Sequence, residues 1–414
     1  MQIKLPAPAE EILNKLNENG YEAYVVGGCV RDMMLGREPG DWDITTSALP
    51  EQVKQVFRRT IDTGIMHGTV TVMMGDEGYE VTTYRIDGEY SDGRHPNSVE
   101  FTPNLTEDLK RRDFTINAMA YNSSVGLVDE FGGMEDLKQG MIRCVGEPMD
   151  RFGEDALRIL RAIRFSAQLG FAIEADTYEA IRVIAPNMVH VSKERIQVEL
   201  TKLLLSAHPD FISMVYETGI SPYVSETFHA VYGCADRIPV VPVSVRPEKH
   251  MRWAAFLRKC SPDQAVQILK DLKLDNDTIS RVRTLVTWQD CRLGPDKYSV
   301  RSVMSRMEPD LFDDLMEFKM CMAGLENSGG TDCPEYMKSV DTLAALELAY
   351  SLVSEIRQSG DCISLKTLAV DGHDIIAAGV RPGKEVGTVL SHLLDLVLKE
   401  PEHNTKEYLL QHLV

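Results

Sequence analysis

The chain has 414 residues, enough for roughly two to four domains, and its 43% hydrophobic and 26% charged residues match an ordinary folded protein. A formal net charge of −19 rules out a generally basic surface, so any nucleic-acid contact must come from local basic tracts. No apolar run approaches the roughly 20 residues that span a bilayer, and eight cysteines without CxxC spacing argue against a zinc or disulfide framework.

Residues 7–19 place Ile12, Leu13 and Leu16 at helical spacing, and Gly20 stops them. Tyr24–Val26 is a short strand of β-formers, and Gly27-Gly28 lets the backbone turn and approach a ligand closely. A helix over Val30–Leu35 then points its free N–H groups at that turn, an arrangement suited to phosphate, with Arg31 adding positive charge. Asp41 and Asp43, two residues apart on an expected strand, share one face. Paired carboxylates repel unless a divalent ion sits between them, and hard oxygen ligands favour Mg²⁺. Residues 49–59 form an amphipathic helix, and 67–74 and 79–85 alternate as strands around Gly75 and Gly78. Together they predict a small sheet with helices on one side, with Glu80 as a candidate third carboxylate. The polar segment 86–104 is long enough to be a functional loop.

A helix capped by Thr106 is expected to carry Arg111, Arg112 and Asp113, and Asp129 with Gly132-Gly133 to mark a bendable point. Gly153 opens a further helix. At 100° per residue, Glu154, Arg158 and Arg161 lie on an arc about 60° wide with Asp155 beside it. Leu157, Ile159, Leu160 and Ile163 lie opposite and Arg164 borders them; taken alone, this is a solvated face with i,i+4 ion pairs. Residues 191–209 form another amphipathic helix, with Lys193, Arg195 and Lys202 as candidate contacts to a polyanion backbone. Helices separated by breaks near 237–247, 293–296 and 326–334 fill the rest, without internal repeats.

The string GGCVRDMMLGREPGDWDIT (27–45), RRDFTINAMA (111–120) and EDALR (154–158) resemble the motifs of class II tRNA nucleotidyltransferases. These are the CCA-adding enzymes and bacterial poly(A) polymerases of the polymerase-β superfamily. The resemblance covers nearly the whole chain, specific from Gly27 to Arg164 and diffuse beyond. It implies an α+β fold: a small polymerase-β-like head with a mixed sheet and helices (1–148), then an all-helical neck (149–210), body (211–330) and tail (331–414).

The implied activity is untemplated addition of C, C and A to the tRNA 3′ end from CTP and ATP, Mg²⁺-dependent and cytoplasmic, with no membrane association. A homodimer is among the assemblies the resemblance allows. By the same resemblance, Asp41 and Asp43 would be catalytic and hold Mg²⁺, and Gly28, Arg31 and Arg112 would bind triphosphate and sugar. Asp155 and Arg158 would serve as a protein template for the incoming base. Glu154 and Arg161 would support them, and Arg164 would hold the neck or the triphosphate. DGEYSDGRHP (87–96) resembles the family's flexible loop, with His95 where a second Arg is usual. HMRWAAFLRK (250–259) lies where related enzymes carry an HD phosphohydrolase domain. Arg258 and Lys259 replace the His-Asp pair, so no second metal site is expected. RPGKEVG (381–387) would offer two cations to an RNA phosphate. An A-adding-only enzyme, a poly(A) polymerase and a catalytically silent RNA-binding protein are the alternatives.

Overall fold

The computed structural model describes residues 4–88, 99–326 and 334–413. Most of the segment expected to be a flexible loop, His95 included, lies outside the described residues. The chain divides into two compact units. One runs to Ile238 and also takes Asp271–Leu274; the other comprises Pro239–Lys270 and Asp275 onward.

In the first unit, α1 (Ala7–Glu18) buries Ala9, Ile12, Leu13 and Leu16 as one stripe. The strand β1 (Ala23–Val26) is buried along its whole length and leads directly into α2 (Gly28–Met34). Gly27 makes that abrupt turn with φ +80°, where a side chain would be strained. The strand β2 (Ile44–Thr46) begins only after the two aspartates. The sequence reading puts Asp41 and Asp43 on the strand; they stand instead in the connection entering it, where Val26 N–H still bonds Asp43 O at 3.0 Å.

The chain continues through α3 (Pro50–Val56), β3 (Thr60–Gly64), β4 (Thr69–Met74) and β5 (Glu77–Thr83). Next, β6 (Arg85–Asp87) and β7 (Val99–Phe101) pair as a separate ribbon. After α4 (Leu105–Lys110), β8 (Ala120–Asn122) and β9 (Gly126–Val128) complete a seven-stranded sheet of order β3-β4-β5-β2-β1-β8-β9. β1 runs antiparallel to both neighbours, whereas β2 and β5 are parallel, so the sheet is mixed as expected.

Two local expectations change. Asn104, not Thr106, caps α4, its Oδ1 accepting from Thr106 N–H at 2.9 Å, and the helix ends at Lys110, so Arg112 and Asp113 lie beyond it. Gly132-Gly133 opens α5 (Gly133–Gln139), where Asp129 accepts from the N–H groups of Gly133 at 2.7 Å and Met134 at 2.9 Å. A Cβ on Gly133 would lie 2.4 Å from Thr115 O, so this glycine serves close approach rather than bending.

The single helix expected across Glu154 and Arg158 is two. α6 (Pro148–Glu154) stops, Asp155 takes an extended conformation (φ −146°, ψ 103°), and α7 (Leu157–Leu169) begins after it. The aspartate side chain accepts from Leu157 N–H at 3.1 Å, a local bond that competes with continuation of the helix. α7 packs on α9 (Lys193–Leu204), with α8 (Ala175–Ile184) between them in sequence. Short helices α10 (Met214–Glu217), α11 (Ser221–Val224) and α12 (Glu226–Tyr232) follow.

The second unit is helical among the described residues: α13 (Lys249–Leu257), most of α14 (Pro262–Asp271), α15 (Asn276–Trp288), α16 (Lys297–Met304), α17 (Pro309–Glu326), α18 (Pro334–Ser359), α19 (Gly372–Ala377), α20 (Lys384–Lys399) and α21 (Lys406–Gln411). Trp253, Phe256, Phe312 and Phe318 are fully buried, and Ile375, Leu393, Val397 and Leu409 anchor a second cluster near the C-terminus. No described helix is long and apolar enough to cross a membrane.

Candidate active site

Asp41 and Asp43 both reach the surface beside the β1–α2 turn. The Asp43 carboxyl is pushed above its usual range. Loss of water around it is the main cause, Arg112 opposes the shift, and repulsion from Asp41 adds to it. A dication held by both carboxylates would relieve that repulsion, and an all-oxygen donor set suits Mg²⁺. The register Ile44↔Val81 sets Glu80 one residue before Val81, as Asp43 is one before Ile44, and Glu80 is exposed. It therefore lies at the level of Asp43 in the sheet, where a strand glutamate is either a plain exposed side chain or a candidate third oxygen donor.

Arg112 lies against the turn. Its Nη1 would be 2.8 Å from a Cβ on Gly27, so the missing side chain makes the cradle in which the guanidinium sits. Gly28 is less constrained: a Cβ there would meet only Arg31 Nη2, at 3.7 Å. The buried Nε of Arg112 has no hydrogen-bond partner, which a bound anion would supply. Behind it, fully buried Asp108 lies 3.8 Å from Nη2 and accepts from Arg111 at 2.8 Å and Thr45 Oγ1 at 3.0 Å. Burial works to raise the Asp108 carboxyl, but the Arg111 and Arg112 charges hold it below its usual value. Nothing in the sequence pattern singles out Asp108; only folding α4 against β2 reveals it.

Arg31 is buried and already partnered. Nη1 donates to Asn117 Oδ1 at 2.7 Å, Nε and Nη2 donate to Asp32, and the guanidinium lies 5.1 Å from the Phe165 ring centre. Arg161 donates to Asp113, with Nε 2.7 Å and Nη2 2.6 Å from Oδ2, while Asn117 Nδ2 reaches Oδ1 at 3.1 Å. Burial acts to raise the Asp113 carboxyl, yet the Arg161 charge and these bonds bring it down to about 2. Arg164 pairs with Glu199 at 2.5 Å and stacks 3.7 Å over Phe165. In this structure Arg161 and Arg164 hold the motif segment and α9 onto α7.

Arg158 N–H bonds Asp155 O at 3.0 Å, but the two side chains bind other partners. Arg158 Nη1 donates to Glu154 at 2.5 Å and to Arg151 O at 2.9 Å, and Nη2 to Arg111 O at 3.3 Å. Arg151 also bonds Glu154 and Arg111 O. Arg195 grips Asp155: Nη2 is 2.6 Å from Oδ2 and Nη1 is 3.3 Å from Oδ1. Arg195 was expected as a backbone contact, and so was Lys193, whose ammonium donates to Tyr223 O and Val224 O at 2.7 Å each. Both are committed within the protein; Lys202 is exposed.

In the second unit His250 finds a carboxylate that the sequence did not pair with it. Its Nε2 lies 2.7 Å from Asp314 Oδ2, and ligand atoms of His250, Asp314 and Glu248 fall within 4.8 Å of one another. Arg246 and Arg281 also bind Asp314, so a metal there would face two guanidinium charges. A cavity of about 870 Å³ in this unit is edged by Arg258, Lys259, Arg292 and Lys319, and it contains none of the head carboxylates.

Residues 23–143 match the family model described as Poly A polymerase head domain, and 170–231 match the one described as Probable RNA and SrmB- binding site of polymerase A. A CCA-adding enzyme of Leuconostoc mesenteroides is 55% identical over 199 residues; that alignment takes 48% of this chain and spans 50% of the relative's length. One from Limosilactobacillus reuteri is 36% identical over 424 residues, covering 99% of this chain and 98% of the relative. Among solved structures, the crystal structure of Bacillus stearothermophilus CCA-adding enzyme in complex with CTP superposes with a TM-score of 0.74 at 32% identity, covering 98% of each chain.

Proposed function

Because the chain belongs to the CCA-adding enzymes of the poly(A) polymerase family, we propose that it adds C, C and A to the 3′ end of tRNA from CTP and ATP, without a nucleic-acid template, releasing pyrophosphate. The observation that carries this is the half-buried Arg112 guanidinium seated at a strand–Gly–helix turn, its buried Nε unpartnered and its charge felt by Asp43, which Asp41 neighbours. Mg²⁺ held by Asp41 and Asp43, with Glu80 available, would supply Lewis-acid activation of the 3′-hydroxyl and charge neutralisation on the phosphates. Arg112, braced by Asp108, donates to the triphosphate, and the free N–H groups at the start of α2 face the same anion. Gly28 and Arg31 line the same turn.

Base choice falls to Asp155 and Arg158. Cytosine and adenine each present an amino donor beside a ring-nitrogen acceptor; a carboxylate accepts and a guanidinium donates, so the pair matches that edge in both bases. Uracil and guanine reverse the pattern and would leave both charged groups facing their own kind. The head (1–148) carries the chemistry, the neck (149–210) the base template, and the body (211–330) and tail (331–414) the tRNA. Exposed Arg381 and Lys384 at the start of α20 are contacts for its backbone. The described cysteines are all free, as the cytosol allows.

The test offers tRNA ending at the discriminator base, at C or at CC, with each nucleoside triphosphate singly and in pairs. C, C and then A are expected. Incorporation only of A onto the CC end makes it an A-adding enzyme, runs of A a poly(A) polymerase, and no incorporation a silent binder. Asp43→Ala should abolish use of CTP and ATP while tRNA still binds. Activity within about tenfold of wild type, a barrier change of about 1.4 kcal/mol, overturns the metal assignment.

A further inference from the structure

Asp155 is poorly held by its own backbone. It occupies the break between α6 and α7, outside both helices; Arg158 N–H bonds its carbonyl, but its side chain has only Leu157 N–H as a local partner. What orients its side chain is Arg195, from the first turn of α9, 40 residues away in sequence. The two contacts run from separate guanidinium nitrogens to separate carboxylate oxygens, the fork-to-fork pairing that blocks rotation of the carboxylate about its own axis.

The same contacts ration what Asp155 can still accept. A carboxylate offers about four acceptor directions, two on each oxygen. Oδ1 takes Leu157 N–H and Arg195 Nη1, whereas Oδ2 takes only Arg195 Nη2. One direction on Oδ2 is left, enough for a single amino group. One turn further along α9, Glu199 holds Arg164 of α7, so residues 195 and 199 together fix the register of α9 against the break and the helix after it.

We propose that Arg195 is a positioning residue for base selection, setting the plane of the Asp155 carboxylate and leaving Oδ2 one free direction for the exocyclic amino group of cytosine or adenine. This rests on the reading that Asp155 meets the incoming base. It replaces the role of an RNA-phosphate contact, because the fork that would grip a phosphate is already closed on a carboxylate.

The experiment compares wild type, R195Q, R195K and D155A by kcat/KM for CTP, ATP, UTP and GTP on tRNA ends matched to each step, alongside tRNA affinity at several salt concentrations. In R195Q the advantage of CTP and ATP over UTP and GTP should shrink by about tenfold or more, the size of discrimination that correctly placed polar groups supply. R195K, which keeps the charge but not the fork, should fall between R195Q and wild type, and it carries the test if R195Q fails to fold. The salt slope of tRNA binding should match wild type in both. If D155A loses selectivity and the Arg195 variants keep it, this inference is overturned while the template stands. A lower salt slope with intact selectivity returns Arg195 to the phosphate role. Should D155A itself select as wild type does, the template reading falls and this inference falls with it.

Discussion

Asp113 is the residue on which the catalytic motif and the neck are joined, and its charge has a measurable signature. Buried at 7% exposure, it owes its depressed value of about 2 to the Arg161 guanidinium and the Asn117 amide prevailing over burial. Since the folded value lies below the ordinary one near 4, ionised Asp113 stabilises the fold above about pH 4. That contribution is lost as pH falls toward 2, and its full size is about 2 kcal/mol. Asp113→Asn should therefore lower the melting temperature at pH 7, and the gap to wild type should narrow as pH drops from about 5 to 3. A gap independent of pH would mean that the ion pair contributes shape alone. At this scale spacing alone brings the carboxylates of Asp41 and Asp43 together, whereas Arg112 is singled out only by the resemblance of RRDFTINAMA to the family's motif. The partners of Asp108, Asn117 and Arg195 were not legible, because each acts on a residue brought to it from another element. A single sequence holds no sign of that meeting.

Among elements, β1, β2, β4 and β5 and the amphipathic helices were legible from periodicity, but β3, β8 and β9, three to five residues long, are too short to show an alternation and were not. A helical pattern of apolar residues runs unbroken through Asp155, so nothing in its period announces that α6 stops there; the break comes from one side-chain bond. The break matters because it frees Asp155 to face away from the helical ladder. Gly132-Gly133 shows a related limit: composition cannot distinguish a glycine that bends from one that lets two backbones touch. With Thr115 O 2.4 Å from the position of a Cβ, Gly133→Ala should force α5 away from the motif segment and cost about 1–3 kcal/mol, read as a lower melting temperature. A variant as stable as wild type would show that α5 can shift without loss. Gly132, with nothing within 4 Å of its Cβ position but φ +75°, makes the contrasting control.

For the whole molecule, the net charge of −19 sets the terms of RNA binding. Many cations of the second unit are already spoken for: Arg246, Arg281, Arg301 and Arg357 each pair with an aspartate. With phosphate contacts confined to local cations such as Arg381 and Lys384, log affinity for tRNA should fall against log salt with a slope of only about −3 to −4, the mark of roughly four or five neutralised phosphates. A slope near −10 would mean an extended basic track rather than a few local contacts, and a flat response would remove RNA as the partner. The sheet order has a consequence of another kind, for synthesis. Central β1 pairs on one side with β2, about 20 residues on, but on the other with β8, where Val25 meets Tyr121 and Asn122 bonds Ala23 O. At about 5–20 residues per second, the ribosome needs roughly 5–20 s after making β1 to produce its second partner. Through that interval Ala23–Val26, an apolar strand with one unpaired edge, is open to any other strand in reach, and a nascent head stalled before residue 120 is the form of this chain most exposed to mispairing.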